Sequence, residues 1–306
     1  MNCKKSYFSF FLLVALGFNS LAQSNLLNAK SPDEIGKKTQ AQLLSDNDKP
    51  LPYGFVDDRD ILMGKMVWEK IDLDERINFP LYFPIDTANI GPERRSLFHV
   101  LLKGIKENQI TEIYADSYFN NKRTLKDLEN VFKYRDTTNA GRDEINNFFD
   151  DYKSGKKVLD PQFIEEYELN ADDVSEYWIK GFWYFDKRQG ELKYRLIGIC
   201  PRAIDAGSKK DPENAEPIEL FWIYFPAARE ILNKSYAFND KNSAMPISFD
   251  RLLNSRRFNA VIYQEENVYG DRQIEKYMKD NSQLQLLEAE RVKDKIRDFE
   301  QDMWNY

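Results

Sequence analysis

The sequence predicts an α+β fold: a central antiparallel sheet with several packed helices and a long C-terminal helix. Three observations point there. Three aromatic-rich apolar runs, Trp178 to Phe185, Leu192 to Cys200 and Ile218 to Phe225, stand close together, and aromatic and β-branched residues suit a pleated, half-buried surface. The first two are joined by Asp186-Lys187-Arg188-Gln189-Gly190, a loop of hairpin length whose glycine can take a positive φ. Around the runs lie stretches with helical apolar spacing, the last from Arg272 to about Met303. With 42% hydrophobic residues, including 21 Phe, 17 Tyr and 5 Trp, the chain can bury a sizeable core, read here as a single domain over 51–306.

The chain opens on Lys4 and Lys5, followed by an apolar run from Tyr7 to Phe18 and then Ser20-Leu21-Ala22-Gln23. A basic start, a short apolar stretch and a small-x-small ending predict a secretory signal peptide over 1–22, cut between Ala22 and Gln23. A retained anchor is the other reading, but the run falls short of the ~20 apolar residues that span a bilayer. Cys3 precedes the apolar run, so it is not placed as a lipid acceptor. Lys4 and Lys5 are the only charges before Gln23, so cleavage takes the net charge from -7 to -9. An acidic chain without a basic stripe makes a poor nucleic-acid binder. Cleavage also leaves Cys200 as the only cysteine, which excludes an internal disulfide and suits a small buried hydrophobe. Residues 23–50 are too polar to fold alone and read as an N-terminal arm, either a disordered leader or a segment that orders on a neighbouring subunit.

The body follows in order. Asp57 and Asp58 can cap a helix, and Ile61, Trp68 and Ile71, with Met66 nearby, give an approximate helical stripe. Asp57, Asp58 and Asp60 could also be read as oxygen ligands for a cation, although capping and solvation account for them more simply. Pro80 and Pro84 keep the segment NFPLYFP extended and outside a central strand. A second helix opens at Pro92-Glu93, with Leu97, Val100, Leu101 and Ile105 on its buried side. His99 is the only histidine, which excludes multi-histidine metal sites. Any Ser-His-Asp triad would have to use His99 itself, so it reads as structural.

Leu125 to Tyr134 and Arg142 to Tyr152 read as two short amphipathic helices parted by a loop at 137–141. Residues 160–170 read as a connector, and Ala171 to Val174 as the lead into the sheet. In the second strand, Leu192, Tyr194 and Leu196 alternate with Lys193 and Arg195, so one face is wet until Ile197. The third run is apolar almost throughout and predicts a central strand. The polar 201–217 loop, with three prolines, is long enough to be functional or disordered. Pro226 starts a helix, 239–244 is loop, Ser248 to Leu253 is a turn or two of helix, and Phe258 to Tyr263 is a further strand. Gly270-Asp271 then caps the long helix, whose seam is Val292, Ile296, Phe299 and Met303.

No phosphate-binding glycine loop, dinucleotide fingerprint, nucleophile elbow or CxxC is present, so neither catalytic residues nor a cofactor is expected. The aromatic runs could stack on sugars, though strand spacing places at least half of the rings in the core. The candidate interface element is the basic pair Lys187 and Arg188 at the hairpin tip of an acidic chain.

Four blocks resemble a known family: VDDRDILMGKMVWEKIDLDERINFPLYFP, GFWYFDKRQGELKYRLIGICP, ELFWIYFPAAREIL and SRRFNAVIYQEENVYGDRQI. They are similar, in the same order, to the gliding-motility protein family GldN, called PorN in non-gliding relatives, of the type IX secretion system of Bacteroidota. The resemblance runs from about Pro50 to about Glu275. It implies a non-enzymatic periplasmic component that self-associates in a ring with a GldK/PorK-like outer-membrane lipoprotein. It also implies contact with the periplasmic part of a GldM/PorM-like motor protein. A periplasmic carbohydrate-binding or carbohydrate-active protein is the other reading of an exported, aromatic-rich chain.

Overall fold

Strand β1 (Ile61–Asp72) occupies the stretch whose apolar spacing predicts a helix. The computed structural model describes residues 49–306 apart from 87, 89, 91–93, 211–214, 240–246, 280 and 304–306. The signal peptide, the arm before Lys49, the Pro92-Glu93 helix start and parts of the 201–217 and 239–244 loops lie outside the described residues. β1 is a strand because it lies between two others. Val67 and Ile71 are buried on one face and Trp68 on the other. A strand covered on both faces loses its clean alternation, and chance spacing then imitates a helix.

One helical turn, α1 (Phe79–Tyr82), forms where the prolines predict extended chain, because Pro80 falls in the first turn, where its missing N–H costs nothing. α2 (Leu97–Lys106) starts at Ser96, whose hydroxyl accepts from the His99 N–H at 3.3 Å, and buries Leu97, Val100, Leu101 and Ile105 as expected. β2 (Ile113–Tyr114) follows. α3 (Leu125–Phe132) begins at a Thr124–Asp127 capping box. The chain then leaves the body: β3 (Lys133–Thr137), α4 (Asn139–Asn147), α5 (Phe149–Lys153) and β4 (Ile164–Glu168). β4 corrects the connector expected at 160–170; it pairs antiparallel with β3, Tyr134 facing Tyr167.

β5 (Val174–Asp186) and β6 (Glu191–Ala203) form the long hairpin, with Trp178 opposite Cys200 and Phe185 opposite Leu192. Gly190 closes the turn at φ +65°. Gly181 sits under Tyr194, whose ring a Cβ would meet at 2.2 Å, so no larger residue fits. The third apolar run divides into β7 (Ile218–Glu219) and β8 (Trp222–Tyr224), and its last residue already belongs to α6 (Phe225–Lys234). Only β8 is central. Pro226 lies in the first turn of α6. The small pair β9 (Tyr236–Ala237) and β10 (Ile247–Ser248) precedes α7 (Phe249–Asn254) and β11 (Val261–Glu265). The expected single C-terminal helix is two: α8 (Ile274–Tyr277) and α9 (Ser282–Met303). Asp271 has φ +56°, a left-handed residue rather than a helix cap.

The large sheet runs β11-β1-β5-β6-β8-β2, with β7 on the far end of β6, and every pairing is antiparallel. The α+β architecture and the C-terminal helix are as expected. One sheet face carries two apolar clusters. Ile71, Tyr177, Ile179 and Ile199 pack against α2, α6 and α7 through Leu101, Phe225 and Leu253. Val67 and Ile262 pack against α9 through Ala289, Val292 and Ile296, part of the expected seam. Between Val67 and Ile71 on that face stands Glu69, 3% exposed. Arg256 grips it with two hydrogen bonds of 2.8 Å. The opposite face holds Trp68, Trp178, Cys200 and Trp222.

Candidate interaction surfaces

The hairpin tip is held by carboxylates on both sides. Asp186 accepts from the N–H groups of Arg188 (3.0 Å) and Gln189 (3.3 Å), and Gly190 N–H returns to the Asp186 carbonyl. Asp60, at the start of β1, accepts the Lys187 N–H at its carbonyl (2.8 Å) and pairs with Arg188 Nε through its carboxylate at 2.6 Å. Asp57 turns back on Arg59, whose guanidinium holds its carboxyl below the usual range. Asp57 thus caps a single turn at 58–60 rather than an α-helix, and Asp60 serves as a charge partner. The structure brings Lys187 and Arg188 together at an exposed tip, but only Lys187 projects without a carboxylate beside it among the described residues. The Asp60 contact links positions far apart in sequence, so no local pattern signalled it.

The second surface is aromatic and mostly covered. Trp178 donates to Glu176 at 2.8 Å and lies 4.5 Å from the Tyr263 ring. Lys70 and Arg202 sit over Trp178 at 5.1 and 4.5 Å. Tyr263 occupies the irregularity where β11 slips against β1, between Ile262 and Gln264. Deeper in, the buried Lys180 ammonium donates to the Ser117 carbonyl at 2.9 Å and lies 4.7 Å from the Trp68 and Tyr118 rings. Desolvation lowers its pKa. That cation–aromatic contact fastens the 115–121 segment over the sheet. Phe221, Trp222, Ile223 and Phe225 are wholly buried while Tyr224 is exposed, so four of the five FWIYF side chains are core. Cys200 is buried and free, with its thiol pKa raised by burial.

Beside the edge strand, Trp178 and Tyr263 continue into a cleft between β11 and the α8–α9 pair, walled by Val261, Ile274, Glu275 and Leu286. Leu286 of α9, in its wall, is half exposed. The sequence pattern misses this cleft because it depends on the break between α8 and α9.

His99 lies in the first turn of α2, partly exposed; with Leu102 and Lys106 it lines a recess facing 168–172. Burial first, then Arg95, Lys103 and Lys106, holds its pKa below 6.5. A histidine depressed in the folded state contributes stability that is full above about pH 6.5 and is lost as pH falls through the folded value. His99→Gln should leave melting unchanged at pH 8 and flatten the decline below pH 6.5. Thermal melts of both proteins across that range check it; parallel declines would show that His99 has no part in it.

The sequence model of a family described as "Gliding motility associated protein GldN" matches residues 56–305. The chain belongs to the GldN family. Comparison with curated proteins found no match. The GldN match takes in every described strand and helix, from β1 to the end of α9, the β3–β4 excursion included. Association with gliding motility therefore attaches to the whole described body of this GldN-family chain.

Proposed function

We propose that this chain is a non-enzymatic structural component of the type IX protein secretion system. In this reading it is exported to the periplasm and self-associates there in a ring. It is held at the outer membrane by a GldK/PorK-like lipoprotein and touches the periplasmic part of a GldM/PorM-like motor. The observation that carries the reading is the GldN family match over 56–305. The surfaces agree with it in kind. The largest aromatic side chains are spent in the core, and the exposed features are a charged tip, an edge cleft and an excursion, which suit contacts with other proteins. No helix of the described residues is long and apolar enough to cross a membrane.

Electron microscopy of the protein purified with its lipoprotein partner tests this: rings are expected, and a monomer that binds glycans would overturn it. Deletion of the gene should stop secretion and colony spreading. Mass spectrometry should find the exported protein beginning at Gln23; an intact Met1 on membrane-bound protein would mean that the first 22 residues are kept as an anchor.

The tip gives a separate test of the partner contacts. Lys187→Glu with Arg188→Glu sets a new carboxylate against Asp60, a contact exposed on the Arg188 side and worth about 1 kcal/mol. Melting should fall by no more than a few degrees, at about 2–4 °C per kcal/mol for a chain of this size. Co-purification with the lipoprotein or the motor should weaken, because like charges at an interface are penalised. Normal recovery of both partners would remove the tip from the interface.

A further inference from the structure

The free sides of the large sheet are not guarded alike. β2, at one end, is two residues long and takes the chain's own 121–123 on its outer side. Ala115 N–H donates to the Asn121 carbonyl and Arg123 N–H to that of Ile113, both at 2.8 Å. Where β6 runs past β8 towards the tip, it carries Glu191, Lys193 and Arg195, the kind of charged row that keeps an edge from pairing. β11, at the other end, has neither device. Its residues Val261, Ile262 and Tyr263 are apolar, and it holds neither lysine nor proline. β1 is its only ladder partner. Among the described residues, no main-chain hydrogen bond reaches residues 261–264 from outside that ladder. An unguarded edge is a template for another strand.

The cleft beside α8 and α9 lies along this edge. Val261, Ile262 and Tyr263 line it in succession. Neighbouring residues of a strand point to opposite faces, and here Ile262 joins the α9 cluster while Tyr263 packs on the Trp178 face. A cleft that touches three residues in a row meets the strand at its edge, main chain included. Its rim is apolar, with Val261 37% and Leu286 51% exposed. Charge does not choose the occupant, since Lys70 and Glu275 both line the cleft. The edge offers unpaired main-chain groups, and an extended peptide is the ligand that matches them.

We propose that β11 is a strand-addition site: an extended segment of a partner protein pairs with the main chain of residues 261–264 and seats an apolar side chain between Val261 and Leu286. This rests on the proposed function, which sets the chain among other proteins. A second copy is a poorer occupant. β3, β4 and the tip half of β6, which also keep a free side, each carry three charged residues.

Overlapping short peptides covering the GldK/PorK-like lipoprotein and the periplasmic part of the GldM/PorM-like motor are the probe. Their binding to the purified chain from Gln23 is read by fluorescence polarisation. At least one peptide should bind, and hydrogen exchange should then slow at the amides of residues 261–264. The same peptide N-methylated at alternate main-chain nitrogens keeps its side chains and loses donors, so it should bind about tenfold or more weakly. Val261→Glu with Leu286→Gln should weaken binding by about the same factor. Both positions are exposed, and the new carboxylate faces Lys70 across the ladder, so melting should hold within a few degrees. Absence of any binding peptide, an N-methylated twin that binds as well as its parent, or protection confined to other residues would each overturn the proposal. So would a chain that sediments as a discrete dimer abolished by Val261→Glu, which would assign the edge to a second copy. The two readings fail separately. If gene deletion stops secretion and no peptide binds, only the strand addition fails; if deletion leaves secretion intact, the proposed function itself fails.

Discussion

Arg256→Ala is expected to cost about 3–5 kcal/mol of folding stability, the penalty for leaving half of a buried ion pair behind. Glu69 is 3% exposed, and both of its oxygens accept from Arg256 at 2.8 Å. Tyr194 adds a hydroxyl donor at 3.3 Å. The guanidinium lies 4.2 Å from the Tyr194 ring and 5.1 Å from that of Trp183, so its planar face is packed as well as its charge paired. Removing Arg256 strands a carboxylate at the seam between the two apolar clusters and opens space beside the Tyr194, Trp183 and Phe258 rings. The loss should appear as a drop of about 6–20 °C in melting temperature. Arg256→Lys should recover only part of it, because an ammonium cannot match two oxygens and stack on a ring together. Glu69→Leu with Arg256→Met should be far milder than Arg256→Ala, since no unpaired charge is left inside. If Arg256→Ala melts within a degree or two of the wild type, the pair is not buried as described.

Trp222→Ala is expected to cost about as much, 3–5 kcal/mol, through a different cause: the cavity left by a large ring. Trp222 is wholly buried against Trp68, Trp178 and Cys200, and its indole N–H donates to Glu219 at 2.6 Å. Truncation removes the ring and deprives Glu219 of a donor. This is a large share of the 5–15 kcal/mol by which domains are stable, so the amount of folded protein should fall and secretion should fail for want of it. Cys200 supplies an internal reporter. Its thiol is fully buried and its pKa is raised by burial, so the wild type should resist a disulfide reagent under native conditions. Trp222→Ala should react readily, and Trp222→Phe should fall between. A wild type that labels at once would mean that the Trp face is open to solvent.

Some of this was legible in the residues alone. The β5–β6 hairpin announces itself because its signals are local: two aromatic runs, a five-residue turn and a glycine at φ +65° all lie between Trp178 and Cys200. The buried side of α2 and the Pro226 start of α6 are equally local, set by helical spacing and first-turn chemistry. The GldN resemblance rests on blocks drawn from these same segments and from β1, whatever structure each adopts. Of the candidate site, the exposed tip position of Lys187 and Arg188 could be read; the Asp60 clamp beneath Arg188 could not.

What the tertiary structure decided has a common cause. β1 reads as a helix because the partners that make it a strand, β5 and β11, lie more than 100 and nearly 200 residues further along the chain. β3 and β4 stay hidden because both are short, polar and outside the core, so hydrophobic patterning has nothing to mark. The third apolar run divides between β7, β8 and α6 because burial, not composition, sets where a ladder ends. Glu69 and Arg256 are separated by 187 positions and look like ordinary surface charges until the sheet places one beneath the other. By itself, the sequence determined the elements whose stabilising partners lie within a few residues, together with the family. Elements whose partners come from distant chain were settled only by folding, because a backbone group or buried charge takes the conformation that satisfies it, and that partner is not written nearby.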